Sequence, residues 1–584
     1  MATFFRMGCC ILVCAGLTRA DLSVLETGAL GDGKTDCTTA FQQALDKTAA
    51  AGGGIVNVPA GQYRINGTLK VPGLVTLQGI SRTAPADARD AQGRYQGSVL
   101  LAYAGRARPE NPPFITLAGR TATLAGLVIA YPERKITEVP PVPYPPAISA
   151  RSGDNLAVLD CMIVNPYEAI HFDGAARFLI RNVHGYPDFR GLYVDNCYDI
   201  GRVENVHFWP FGTNYNPNDP YSKWVNVNAV AFEFARTDWQ YVTNTFCFGY
   251  GVGYKFSTTK AGSCNGNFLG IGADSCRRAI LVEGCQYPGL LITNAELVGR
   301  WGSNDSVGIE IAEKSLDSKV SLMNSSFWGP IDRCVWSRSR QTQFTSIGTH
   351  YCDWDVGGTG SPAIQIDAGR AIIEANTFRE GETHVLVGPK VRSAIIMGNQ
   401  AVNGLAVTNQ AGARTQLVAN EADQATLFTD ALRSCYRVDV GSVGDQPFIS
   451  RAHGREHMPH PDEHTMRWTS GNTQLRLPVL PGKPSEIELD VNLPPHAVDP
   501  QNGLYLGQIR LATLPDKPYQ GIVKATIPTG TQDRVTLTLK VKKWRPVEVQ
   551  PGSQDGRELG LALYSVTVRA QGATSQPASA NTQE

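Results

Sequence analysis

From about residue 120 the chain repeats one pattern of apolar and polar positions. A short alternating segment ends on an Asn, and a second alternating segment follows after a loop. The first segments are 178–182, 202–205, 240–244, 291–294, 321–324, 372–376, 395–399 and 417–420. Several of the closing Asn residues recur at a period in the low twenties. Such a period, with strand-like alternation and no helical stripe, predicts a parallel β-solenoid. Each turn of chain is one coil, and coils stack at the strand spacing of ~4.8 Å. A stacked Asn at each corner would satisfy backbone groups with its side-chain amide.

The flanks read differently. Asp36 is placed to cap a helix over residues 38–50, whose Ala40, Phe41, Ala44 and Leu45 share one face. Gly52, Gly53 and Gly54 break it, and alternating segments at 55–58 and 62–65 follow around a Pro-Ala-Gly turn. After about residue 430 the repeat stops. Residues 431–465 read as a linker, polar and rich in His and Pro towards its end. Residues 466–571 carry about seven alternating segments, which predicts a β-sandwich. Residues 572–584 are small and polar and read as a disordered tail.

The segment Gly28-Ala29-Leu30-Gly31-Asp32-Gly33-Lys34-Thr35-Asp36, then Ala40, Ala44 and Leu45, then residues 52–63, resembles the N-terminal signature of the pectate-lyase-3-like group. That group lies within the pectin-lyase-like superfamily and is related to glycoside hydrolases. The resemblance implies an all-β fold: a right-handed, single-stranded parallel β-helix over 21–430 with an N-terminal cap helix, here followed by the C-terminal β-sandwich. The signature is structural and carries no catalytic residues. The polygalacturonase-type signatures Asn-Thr-Asp, Asp-Asp, Gly-His-Gly and Arg-Ile-Lys are absent from the chain.

Composition narrows the function. The 584 residues are 42% apolar and 18% charged, with formal net charge zero. That is globular, and it argues against a generally basic nucleic-acid binder. Residues 1–20 place Arg6 before a short apolar run and end on Thr18-Arg19-Ala20, which predicts a cleaved signal peptide and a secreted or periplasmic protein. No later segment is apolar enough to span a membrane. Ten Cys remain after residue 20, without zinc-type spacing; buried small hydrophobes with a few disulfides are expected. Gly28-x-x-x-x-Gly33-Lys34-Thr35 matches a phosphate-binding loop literally, but Asp32 puts a negative charge where phosphate would sit.

The inside of a β-helix is filled with stacked apolar side chains, so chemistry must lie on outward positions and flanking loops. Aligning the second segments at 169–173, 191–195, 230–234, 253–256 and 280–283 gives an outward column Asp173, Asp195, Glu233, Lys255 and Glu283, with Glu310 and Asp367 as continuations. A parallel column holds His171 and Tyr193. Like charges one coil apart raise at least one pKa, the condition for a general acid beside a carboxylate base or nucleophile. Asp195 is the leading catalytic candidate, with Glu233 or Asp173 as its partner. A solvated charged face, with Lys255 bridging Glu233 and Glu283, is the bland alternative. A Ca²⁺ site from Asp173, Asp195 and Glu233 is a third reading; otherwise no cofactor is expected.

The connection from Asn205 to Asn244 is the long one, and it holds Trp209, Phe211, Asn214, Tyr215, Asn216, Asp219, Tyr221, Lys223 and Trp224. Arg190 and Trp301 lie in loops on the same side. Aromatic faces stack on sugar rings and Arg binds carboxylates, so this wall suits a polysaccharide. The alternative is an insertion that folds over the helix and packs its own aromatics. His453, His457, His460 and His464 suggest a metal site by spacing, but Pro459 and Pro461 forbid a regular helix there and favour a linker.

The sequence reads as an exported glycoside hydrolase acting on a polysaccharide or oligosaccharide through paired carboxylates. Two alternatives stand. One is a lyase acting on a uronate glycan, with Lys255 or Arg190 as base. The other is a non-catalytic glycan-binding or surface-structural protein. Oligomeric state is left open.

Overall fold

A computed structural model describes residues 21–580, apart from 86–88, 210–218, 301–304, 317, 380–382, 402–403, 422–427, 443, 459–463, 554 and 575. The expected signal segment 1–20 lies outside the described residues. So do Phe211, Asn214, Tyr215, Asn216, Trp301 and His460, and the side chains of His457 and His464. The chain forms two compact units, Met1–Lys135 with Val142–Tyr186, and Ile136–Pro141 with Pro187–Glu584.

In the first unit the helix Thr38–Ala50 forms as predicted and buries Phe41, Ala44, Leu45 and Thr48. Phe41 meets Tyr63 edge-on at 5.2 Å. Burying such a side chain contributes about 1.5–3 kcal/mol. The N-cap position is Cys37 rather than Asp36. Asp36 still serves the first turn, since its carboxylate accepts the Thr38 amide at 3.0 Å. Each coil then lays down three parallel strands. One column of pairings runs through Gly54–Asn57, Val75–Gln78 and Thr123–Ala125. A second runs through Gly61–Ile65, Ser98–Ala102 and Val128–Ala130, and a third through Leu69–Val71, Ile115–Leu117, Ile148–Ala150 and Glu168–Asp173.

The second unit continues the same architecture. The column that matters here pairs Arg190–Asp195, Val230–Phe234, Val252–Phe256, Arg278–Val282, Val307–Ile311 and Arg333–Ser337 in succession. Inward residues Leu192, Phe232, Tyr254, Ile280, Ile309 and Val335 are fully buried and stack rung on rung. Phe232 lies flat on Tyr254 with ring centroids 4.8 Å apart. Parallel stacking of this kind gives each side chain the same neighbour above and below, which explains why the apolar pattern survives so many coils.

The recurrent Asn residues have two jobs. Asn205, Asn244, Asn294 and Asn324 adopt left-handed backbone at φ 45–54°, a conformation Asn tolerates better than most residues. In the last coils Ala375, Gly398 and Ala419 take that corner, and the Asn one residue later turns inward. There Asn376 donates to Asn399 at 3.0 Å and Asn399 to Asn420 at 2.9 Å. Asn399 also donates to the Ile373 carbonyl at 3.0 Å, so this part of the ladder satisfies buried backbone as expected.

Residues 435–579 build a ten-stranded, largely antiparallel sheet among the described residues. Where the sequence predicts a sandwich of separate sheets, hydrogen bonds link all ten strands into one. The long strand His464–Pro478 explains this. It pairs with Ile449–Met458 from His464 to Leu475, with Ala562–Ala570 at Arg467 and Trp468, and with Arg534–Lys540 from Asn472 to Pro478. The sheet wraps a core that includes Tyr436, Leu475, Ile487, Leu489, Leu539 and Val566. The expected linker 431–465 is therefore structured: it supplies the strands Cys435–Asp439 and Ile449–Met458. The expected disordered tail contributes Ala578–Ser579, paired with Tyr436 and Arg437. The ten cysteines after residue 20 are buried, and Cys37, Cys161, Cys247, Cys264, Cys276, Cys285, Cys334 and Cys435 are free thiols rather than halves of the expected disulfides. Among the described residues no helix is long and apolar enough to cross a membrane.

Candidate active site

Five side chains from three successive strands meet on the outer face of the second unit. Arg190, Tyr193 and Asp195 come from Arg190–Asp195, Glu233 from Val230–Phe234 and Lys255 from Val252–Phe256. Tyr193 stands opposite Glu233, and Glu233 opposite Lys255. This corrects the column read from sequence, which put Glu233 beside Asp195 and Glu283 beside Lys255. Opposite Lys255 is Leu281. A shift of two residues keeps every side chain on its own face, so alternation alone cannot detect it.

Glu233 is 7% exposed and lies between two cations. Arg190 Nε is 3.5 Å from its Oε2, and Lys255 Nζ is 3.5 Å from its Oε1. Lys255 also reaches Glu283 Oε1 at 3.5 Å. The Arg190 guanidinium sits 4.7 Å from the centre of the Tyr193 ring. The Tyr193 hydroxyl donates to Asp195 Oδ2 at 3.3 Å. Burial first, then the carboxylates of Asp195 and Glu233, push the Tyr193 phenol above its ordinary pKa, against a smaller opposite pull from Arg190. Tyr193 therefore keeps its proton at neutral pH.

Asp195 is held from three sides. Its Oδ1 accepts the backbone N–H of Asn196 at 2.8 Å, the backbone N–H of Arg236 at 3.0 Å and the Thr259 hydroxyl at 3.1 Å. At 8% exposure it anchors Tyr193 and ties three coils together. Thr259 carries no sequence signal, because it sits in a loop without period. Its role appears only when the coils are stacked.

The other sequence candidates have partners of their own. His171 and Asp173 belong to Glu168–Asp173 in the first unit, where His171 Nδ1 lies 2.9 Å from Glu168 Oε1. Trp209 packs on His207 with centroids 4.4 Å apart. Tyr221 is corrected as a sugar contact: it is 2% exposed, and its hydroxyl donates to Asp188 Oδ1 at 2.5 Å. Asp219 caps the short helix Pro220–Asn228 through the Ser222 amide, so this part of the insertion packs its own aromatics. Glu310 is bound by Arg278 at 2.5 Å and Arg338 at 3.1 Å. Asp367 accepts the Trp336 indole N–H at 2.7 Å.

Two further expectations can be read against geometry. Asp32 accepts the amides of Lys34 and Thr35, both at 2.8 Å, so its carboxylate takes the place a phosphate would need. No group of three or more His, Cys, Asp or Glu able to hold a metal occurs among the described residues. His453 is half-buried and bonded through Nε2 to the Glu558 carbonyl at 2.8 Å.

Residues 22–106 match the family model described as rhamnogalacturonase A/epimerase, pectate lyase-like. Over that N-terminal segment the chain is similar to pectate-lyase-like proteins, which fits the stacked parallel strands described above. Among curated relatives, the mannuronan C5-epimerase AlgE3 of Azotobacter vinelandii is 55% identical over 47 residues, covering 8% of this β-helix protein and 3% of the epimerase. Alginate lyase 7 of the same organism is 51% identical over 47 residues, covering 8% and 6%. This β-helix protein thus spans under a tenth of the length of the curated relatives it matches. Among solved structures, the A-module of the Azotobacter vinelandii epimerase AlgE6 superposes with TM-score 0.40 and 14% identity, over 65% of this chain and 99% of that one. The tailspike of E. coli bacteriophage HK620 with a pentasaccharide gives TM-score 0.47 and 11% identity, over 94% of both.

Proposed function

We propose that this chain is a carbohydrate-active enzyme working outside the cytoplasm, and that it acts on a uronate-bearing polysaccharide by removing the proton next to the carboxylate. One observation carries the reading: a protonated Tyr193, the Glu233 carboxylate and the cations Arg190 and Lys255 share one small patch. Arg190 and Lys255 neutralise the substrate carboxylate, which acidifies the adjacent C–H. Glu233 accepts that proton. Tyr193 donates its proton to the departing glycosidic oxygen, and the electron pair left on carbon forms the new double bond. The two cations do the neutralising, so the reading calls on no metal. The short matches to mannuronan epimerases and an alginate lyase support a uronate substrate, and the segment led by Arg6 supports export.

Hydrolysis through Asp195 and Glu233, the pair favoured by the sequence, is the second reading. It is supported by the influence of both carboxylates on Tyr193. Incubation with polymannuronate, polyguluronate and polygalacturonate separates the two. New reducing ends with ultraviolet-absorbing product mean elimination, and reducing ends without it mean hydrolysis. Neither product from any polyuronate would overturn the uronate reading.

A further inference from the structure

One corner of the second unit is built against ordinary backbone preference. Cys197 bridges to Thr237 in parallel, the register slips by one residue, and Arg202 then pairs with Tyr241, so that Ile200 and Trp239 both stand two residues before that pair in adjacent coils. Both have left-handed backbone, Ile200 at φ 41° and Trp239 at φ 50°. Left-handed backbone favours Gly or Asn, and a bulky residue there is strained. Burial does not offset the strain at Trp239, because the residue is 61% exposed.

The corner is nonetheless clamped. The Trp239 amide donates to Asn265 Oδ1 at 2.8 Å, and Asn265 is buried. Asn265 in turn donates to Gln286 Oε1 at 2.8 Å. Gln286 Nε2 reaches Asp238 Oδ1 at 2.6 Å and the Thr237 carbonyl at 3.2 Å. Next to this corner Tyr198 is 58% exposed, with the Arg236 guanidinium 5.2 Å from its ring. The Arg236 backbone N–H is the one that holds Asp195. The same left-handed corner recurs in preceding coils at Thr121, Asn155, Arg177 and Ile200, so the turn belongs to the coil; what sets this one apart is a large aromatic side chain held out in water on a backbone fixed through its amide.

We infer that Trp239 and Tyr198 form an aromatic platform on which sugar rings of a bound polysaccharide stack, a subsite joined to the Tyr193 patch through Arg236. An aromatic ring offers a flat apolar face to the C–H face of a pyranose. Asp238 and Asn196 stand beside the platform with oxygens suited to hydroxyls, and Asn196 Oδ1 already accepts from Tyr198 at 3.3 Å. The platform rests on the reading that this chain handles polysaccharide, but not on the chemistry at Tyr193.

The test measures binding rather than turnover. The full-length protein carrying Tyr193→Phe is titrated with polymannuronate, polyguluronate, polygalacturonate and a neutral glucan by calorimetry and affinity electrophoresis. Adding Trp239→Gly relieves the strained corner, so the fold is retained, with an unchanged or higher thermal midpoint. Affinity for the bound glycan is expected to fall about 3- to 10-fold, the scale of one aromatic contact. Tyr198→Ala should weaken it similarly, Trp239→Phe less, and Leu316→Ala, another exposed apolar residue, not at all. Unchanged affinity in Trp239→Gly and Tyr198→Ala, or no binding of any of the four glycans, overturns the platform. Binding that depends on Trp239 in a wild-type protein that turns over no polyuronate would sink the catalytic reading and leave the platform standing.

Discussion

Tyr193 and Glu233 stand directly opposite each other on adjacent parallel strands, one protonated phenol facing one carboxylate. On the proposed reading this pair carries the proton transfers. Replacing Tyr193 by Phe removes the hydroxyl and leaves the ring under Arg190. Turnover of the polyuronate should fall about 10²–10⁴-fold, the range for losing a general acid. Binding measured by calorimetry should stay within about twofold. Full activity in Tyr193→Phe would remove Tyr193 from the chemistry.

Asp195→Asn should cost stability as well as rate. An Asn side chain has one carbonyl oxygen to replace a carboxylate that serves two backbone amides, Thr259 and Tyr193. Its NH₂ would face a donor. The expected loss is about 1–3 kcal/mol, read as a lower urea midpoint. Thr259→Val should show a smaller version of the same effect, with the rate loss appearing in kcat more than in KM. An unchanged urea midpoint in Asp195→Asn would rule out the anchoring role.

His384 predicts acid sensitivity. It is 1% exposed, packs against Trp354 and Phe378, and its Nδ1 accepts the Ala406 amide at 2.9 Å, which requires the neutral ring. Burial lowers its pKa to about 4, against about 6.5 in the unfolded chain. A depressed His pKa means that the unfolded state takes the proton first. Stability from this site is full above pH 6.5 and declines as pH falls towards 4, by about 3 kcal/mol at most. Thermal midpoints of wild type and His384→Gln between pH 7 and pH 4 check this. The variant should start lower and lose less on acidification, and parallel curves would contradict it.

Asn399 is the middle of the inward ladder. Asn399→Ala strips the partner from the Asn376 amide and backbone N–H, and leaves the Ile373 carbonyl without its donor. A loss of about 1–3 kcal/mol is expected, seen as faster amide exchange in the coils around residues 373–399. Asn324→Ala, at a corner where the Asn is exposed, should cost less.

Much of this molecule is written in local pattern. Alternation at residues such as Phe232, Tyr254 and Ile309 identifies the inward face, and the Asn period identifies the coil. The helix Thr38–Ala50 follows from its apolar stripe and glycine stop. These features depend on residues near each other in sequence, and each coil repeats the same solution. The outward residues Arg190, Tyr193, Glu233 and Lys255 could be named for the same reason.

What stacking alone decided was who faces whom. Glu233 met Tyr193 instead of Asp195, and Lys255 met Leu281 instead of Glu283, because the inward residues Leu192, Phe232, Tyr254 and Ile280 stack on one another, and alternation leaves that offset open. Thr259, Asn265 and Gln286 became parts of sites because coils tens of residues apart touch. Tyr221 left the sugar-binding wall for the interior because Asp188 was there to receive its hydroxyl. The strand His464–Pro478 joined the C-terminal strands into one sheet because it is long enough to pair with different partners along its length. Period-two geometry specifies a face, whereas register is fixed only by the packing of whole coils.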